Sequence, residues 1–174
     1  MTRGAVFTLP NSISLSRLVL ALGFVLITGT WERVAIIVIA GITDFMDGWL
    51  ARHEKAESET GALIDPLADR IFVVVAISVY LVEGRFTGSQ YFIFLSRDIA
   101  TAVGFLVAKI VPWLRPAVFR ARMLGKIVTV LQLVALVAVL VTPAYTTPLV
   151  VGIGILSAAA IIDYTVALWR ARAR

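Results

Sequence analysis

The chain has 174 residues, 60% of them hydrophobic, 16% charged and none cysteine, with a formal net charge of +5. A mean hydropathy of +0.94 and an apolar share above the near-half usual for soluble domains point to one polytopic membrane domain over residues 1–174. Without thiols, disulfide and thiolate chemistry are excluded. The basic balance suits a cytosolic face held against anionic lipid rather than a nucleic-acid partner.

Six apolar runs predict an all-α protein of six transmembrane helices, at about 12–28, 34–51, 62–82, 91–111, 124–142 and 148–168. Each spans 17 to 21 residues, against the roughly 20 that a crossing helix needs. Gly29, Gly84, Gly88, Pro112, Pro116, Pro143 and Pro148 punctuate the breaks. Only Arg3 marks a basic n-region ahead of the first run, and Arg17 interrupts that run, so the N-terminus reads as mature sequence.

Basic residues set the orientation. With alternating spans, the side of the N-terminus receives eleven of them: Arg3, Arg52, Lys55, Lys109, Arg115, Arg120, Arg122, Lys126, Arg170, Arg172 and Arg174. The opposite side receives Arg33 and Arg85, while Arg17, Arg70 and Arg97 fall within spans. Both termini are therefore expected in the cytosol, with the protein in the inner (plasma) membrane.

Four aspartates break the apolar pattern of the second and third spans. Asp44, Asp47, Asp65 and Asp69 belong to the pattern D-x2-D-G-x2-A-R-x8-G-x3-D-x3-D, which also contains Gly48, Ala51, Arg52 and Gly61. A carboxylate at bilayer depth costs roughly 2.5 kcal/mol or more, so four of them call for a strong compensation, and bound divalent metal supplies one. Asp44 and Asp47 are three apart and share a helix face; Asp65 and Asp69 are four apart and share another. Counted from Arg52, Asp47 lies about 7 Å deep and Asp44 about 12 Å; counted from Gly61, Asp65 lies about 6 Å deep and Asp69 about 12 Å. Matching depths suit one polar site open to the cytosol. The ligands are all oxygen donors, and the one histidine, His53, sits in the turn. Such a set favours Mg²⁺ first and Mn²⁺ next, and four carboxylates suffice for two ions. Gly48 and Ala51 leave room for a flat ligand, or serve close helix packing. Pro66, inside the third span, predicts a kink or a freed carbonyl.

These eight positions, within 26 residues and at a fixed gap, resemble the motif of the CDP-alcohol phosphotransferases, and the six-span layout extends the resemblance over nearly the whole chain. The resemblance implies that Asp44, Asp47 and Asp65 hold two metal ions, that Asp69 completes the site and acts as general base, that Gly48, Ala51 and Gly61 border the cytidine pocket, and that Arg52 meets the donor's phosphates. It also implies CDP-diacylglycerol as the donor, a phosphorylated alcohol as the acceptor, and a homodimer.

Residues 10–17 and Ser96-Arg97-Asp98-Ile99 resemble segments of the phosphatidylglycerophosphate synthase and cardiolipin synthase branches of that family. Residues 122–129 resemble a Gly-Lys-x-Lys-Thr segment of the first branch, with Val128 in place of its second lysine. A small dianionic acceptor needs two or more cationic partners, and Arg97, Arg122 and Lys126 are the candidates. Arg97 lies deep in a span, where a charge is functional by default. Glycerol 3-phosphate is the acceptor this favours, and phosphatidylglycerol is the alternative. A cation-coupled transporter would instead spread its acidic residues along a path across the bilayer. Asp163, in the sixth span, has no assigned role.

Overall fold

The computed structural model describes the backbone of residues 9–53, 61–110 and 123–172, and the side chains of residues 16–46, 70–104 and 125–166. Among the described residues there are six α-helices and no strand: α1 (Leu9–Leu26), α2 (Thr30–His53), α3 (Gly61–Val82), α4 (Gly88–Ile110), α5 (Met123–Val141) and α6 (Thr146–Arg172). They match the six predicted apolar runs in number and order. α6 begins two residues ahead of its run because Pro148 lies in its first turn, where an N–H has no acceptor within the helix and proline is tolerated. A single 3-10 turn, Pro143–Tyr145, joins α5 to α6. α3 runs through Pro66 from Gly61 to Val82 without a break.

The helices fall into two compact units, Met1–Arg85 and Phe86–Arg174. In the first, α1 packs on both α3 and α2. Phe24, fully buried, makes edge-on contacts with Phe72 and Tyr80, at 6.0 and 5.5 Å between ring centroids. The Arg33 guanidinium stands 5.0 Å above the same ring. Arg33 is buried in the first turn of α2, where the sequence suggested a loop charge. It donates from Nε to the Ile27 carbonyl at 2.6 Å and pairs through Nη1 with Glu83 Oε1 at 2.7 Å. The start of α2 and the ends of α1 and α3 therefore meet at one end of this unit. Helix polarity then directs the C-terminal part of α2 and the N-terminal part of α3, which carry the aspartate motif, to the other end.

α3 stops at a Schellman motif. Arg85 N–H donates to the Tyr80 carbonyl at 2.8 Å and Gly84 N–H to the Leu81 carbonyl at 3.1 Å, with Gly84 at φ 71°. That left-handed conformation is open to glycine at little cost.

In the second unit, α6 packs on α4 and on α5. α4 opens with a reciprocal capping box: Thr87 N–H donates to Gln90 Oε1 at 2.9 Å, and Gln90 N–H to Thr87 Oγ1 at 3.3 Å. Gln90 also donates to Thr147 Oγ1 at 3.1 Å, so the starts of α4 and α6 lie together. Farther along, Gly154 of α6 meets Ile93 of α4 so closely that a Cβ on the glycine would sit 2.7 Å from Ile93 Cγ2. Leu136, Val128, Val150 and Ile153 fill the interior with Phe94.

Candidate active site

The aspartate motif lies on α2 and α3 of the first unit. Asp44 is its described side chain. Its Oδ1 accepts an ion pair from Arg17 Nη2 of α1 at 3.4 Å, with the arginine side chain 2% exposed and the carboxylate 41% exposed. α1 thus delivers a buried cation to the carboxylate from behind and leaves the carboxylate itself accessible. An accessible carboxylate in an all-oxygen donor set fits a hard divalent cation. The backbones of Asp47, Gly48, Ala51, Arg52, Gly61, Asp65 and Asp69 belong to α2 and α3; their side chains lie outside the described residues. Among the described residues no group of three or more acidic or histidine side chains forms a metal site.

A second polar cluster lies within the second unit, around Arg97 of α4, which is 7% exposed. Arg97 Nη1 donates to Thr129 Oγ1 at 3.2 Å and lies 3.6 Å from Asp98 Oδ1. Thr129 Oγ1 donates in turn to the Gly125 carbonyl at 3.1 Å. Gln132, 2% exposed, donates from Nε2 to Asp98 Oδ2 at 2.8 Å and to the Phe94 carbonyl at 2.9 Å. Gly125, Thr129 and Gln132 follow one another at four- and three-residue steps, which puts them on one stripe of α5 facing α4. Tyr164 of α6 reaches the same place: its Oη lies 2.9 Å from where a Cβ on Gly125 would be, and Arg97 Nη2 lies 2.6 Å from that point.

The predicted acceptor residues differ in exposure. Arg97 is buried in this cluster, Lys126 is exposed in the first turn of α5, and Arg122 lies outside the described residues. Val128 is fully buried. The position where the resembling segment has a second lysine faces the apolar interior in this chain, where an ammonium would lose its hydration.

Sequence reasoning placed Arg17 in a span and went no further, although the rule that singled out Arg97 applies equally to it. Thr129 was singled out only as the end of the 122–129 segment, with no role, and Gln132 and Tyr164 were missed. Uncharged polar residues scattered in apolar runs carry little local signal, and only the packing of α6 on α4 and α5 brings Tyr164 to Arg97.

Comparison with known proteins identifies the class. A model of the CDP-alcohol phosphatidyltransferase family matches residues 7–169, and the chain belongs to that family. It is 35% identical over 80 residues to CDP-diacylglycerol–glycerol-3-phosphate 3-phosphatidyltransferase of Cereibacter sphaeroides, covering 42% of this chain and 36% of that one. It is 37% identical over 89 residues to a protein of Mycobacterium tuberculosis named putative cardiolipin synthase, covering 48% of this chain and 42% of that one. With CDP-diacylglycerol–glycerol-3-phosphate 3-phosphatidyltransferase of Escherichia coli it is 31% identical over 147 residues, 79% of each chain. The chain thus spans less than half the length of the first two of these relatives.

Proposed function

We propose that this chain is a membrane-embedded phosphatidyltransferase that moves the phosphatidyl group from CDP-diacylglycerol to glycerol 3-phosphate. The products are phosphatidylglycerophosphate and CMP. The observation that carries this reading is the unbroken eight-position motif on α2 and α3 of a chain that belongs to the CDP-alcohol phosphatidyltransferases.

Asp44, Asp47, Asp65 and Asp69 would hold two divalent ions, Mg²⁺ or Mn²⁺, whose charge would offset that of the donor's pyrophosphate and of departing CMP. Arg52 meets the donor's phosphates, and Gly48, Ala51 and Gly61 leave space for its cytidine. The Asp69 carboxylate takes the proton of the acceptor hydroxyl. The hydroxyl oxygen forms a bond to the phosphorus that bears diacylglycerol, and the bond from that phosphorus to the bridging oxygen of CMP breaks. Arg97, with Arg122 and Lys126, receives the acceptor's phosphate. Arg17 holds the Asp44 carboxylate in place from behind.

The helices cross the inner membrane six times, with both termini and the motif on the cytosolic side. Helix lengths of 18 to 27 residues support this, as do large apolar side chains exposed on every helix, among them Leu22, Ile42, Val82, Phe92, Val130 and Ile155. Among the described residues, Pro143–Val166 is one continuous segment long and apolar enough to cross, with mean hydropathy 2.0. A homodimer is the expected assembly.

The test is an acceptor screen. Purified full-length protein with CDP-diacylglycerol and Mg²⁺ is offered glycerol 3-phosphate, phosphatidylglycerol, inositol phosphate and serine, and CMP release is measured. Release with glycerol 3-phosphate is expected. Release with phosphatidylglycerol alone would establish the second reading, a cardiolipin synthase, which the likeness to the mycobacterial protein favours.

A further inference from the structure

At the end of the first unit away from the aspartate motif, Arg33 and Glu83 tie α2 to α3. Arg33 Nη1 lies 2.7 Å from Glu83 Oε1 and donates to Oε2 at 2.9 Å, with the arginine side chain 2% exposed. Both partners are held in place. The Ile27 carbonyl takes Arg33 Nε, the Phe24 ring lies under the guanidinium, and Glu83 Oε2 also accepts from Arg85 Nε at 3.0 Å. Glu83 N–H donates to the Val79 carbonyl at 2.9 Å, so its backbone continues the path of α3.

A buried ion pair adds little net stability over well-packed apolar side chains of the same volume, while one partner left alone is costly. What the pair contributes is geometry. It closes at one height of α2 against α3, whereas apolar packing on α1 is less exacting. Asp47 is fourteen residues past Arg33 on α2, and Asp69 is fourteen residues ahead of Glu83 on α3. At 1.5 Å per residue each separation is about 21 Å. The two helices are antiparallel, so backbone positions 47 and 69 stand at one height, to within about a turn. Fourteen residues are also close to four turns, which returns each backbone to nearly the side of the helix from which the pair is made. α2 is unbroken from Thr30 to His53, and Pro66 of α3 lies outside the counted stretch.

We propose that Arg33 and Glu83 are positioning residues for the reaction. Their ion pair sets the height of α2 against α3 and thereby brings the two halves of the aspartate motif level. This rests on the reading that Asp47 and Asp69 hold metal. Neither Arg33 nor Glu83 meets metal or substrate; both act through the length of their helices.

The chain has no cysteine, so nitroxide labels can be placed cleanly at Ile42→Cys and Val74→Cys. Both positions are exposed, and each is nine residues from its clasp partner. In the full-length protein, Arg33→Met with Glu83→Met removes both charges together and leaves no lone buried ion. Its melting temperature should stay near wild type. The distance between the labels should shift or spread by about 5 Å, one helical turn. Affinity for Mn²⁺, read without substrate by electron paramagnetic resonance, should fall roughly tenfold to a hundredfold, as when groups that orient metal ligands are lost. Glu83→Gln alone keeps the shape and should show smaller changes of both kinds. Wild-type distances in the two variants would overturn the proposal, and so would a changed distance at wild-type Mn²⁺ affinity. A control that leaves the clasp intact tests the reading beneath: if Asp47→Asn with Asp69→Asn leaves Mn²⁺ affinity at wild type, the metal assignment fails and the proposal falls with it.

Discussion

Arg17 and Asp44 form an ion pair between α1 and α2 in which the cation is buried and the anion is accessible, at 3.4 Å from Nη2 to Oδ1. If Asp44 holds metal as proposed, the asymmetry has a use. A carboxylate that must bind and release metal needs a counter-charge when the metal is absent, and a buried arginine on a packed helix supplies one without covering the open side. Arg17→Met should therefore lower the melting temperature in EDTA, and added Mg²⁺ should recover more of that loss than it gains for the wild type, because ligand linkage then carries the compensation alone. Equal Mg²⁺ responses in the two proteins would separate Arg17 from the metal site.

Metal dependence is expected to be complete. EDTA should abolish CMP release, and Mg²⁺ or Mn²⁺ should restore it; Ca²⁺ makes a useful contrast, since it prefers looser, higher-number coordination. The melting temperature should also rise with Mg²⁺ and do so less in Asp44→Asn. Full turnover after rigorous chelation would remove the two-metal scheme.

Asp69→Asn separates proton transfer from binding. The amide keeps the volume and remains a weak ligand, yet it cannot accept the hydroxyl proton. Turnover should fall roughly 10²- to 10⁴-fold while CDP-diacylglycerol binding, read by equilibrium competition, changes far less. Wild-type turnover would take the base role from Asp69.

Two glycines of α6, two positions apart, should answer the same substitution with opposite signs. Gly154→Ala forces a methyl against Ile93 Cγ2 at 2.7 Å, and overpacking of that kind costs about 1–3 kcal/mol. A Cβ at Gly152 meets nothing within 4 Å, so Gly152→Ala should stabilise by up to about 1 kcal/mol through helix propensity. Thermal melts of the two variants give the comparison directly.

Val128→Lys restores the second lysine of the resembling segment and tests whether that position matters in this chain. Val128 is fully buried, so the variant should melt lower and show no gain in affinity for glycerol 3-phosphate. A lowered acceptor KM would mean that position 128 reaches the ligand.

Much of the fold was legible because its signals are local. Apolar run length marked six helices, and Gly84 and Pro143 fell where α3 and α5 stop. The aspartate motif was legible for a related reason: four carboxylates stand out in an apolar background, and their spacing is specific. Arg33 read as a flanking charge because its partners, the Ile27 carbonyl, Glu83 and the Phe24 ring, come from three separate segments. The Arg97 cluster was half legible. The arginine announced itself by its depth in the span and Thr129 by the 122–129 segment, whereas Gln132 and Tyr164 acquire meaning only when three helices are packed. The convergence of Asp47, Asp65 and Asp69 with Asp44 remains part of the proposed function.

The polar stripe of α5 has a consequence for alignment. Gly125, Thr129 and Gln132 meet Phe94, Arg97 and Asp98 at one setting of the two helices. A slip by one turn, about 5.4 Å, would part Gln132 from Asp98 and Thr129 from Arg97. Leucine and valine tolerate several such settings, and three interlocked polar groups tolerate one, as a single buried asparagine does in a coiled coil. Replacing Gln132 by leucine should leave the helices together and their apolar burial intact. The two helices would then be free to sample more than one alignment, losing uniqueness before stability.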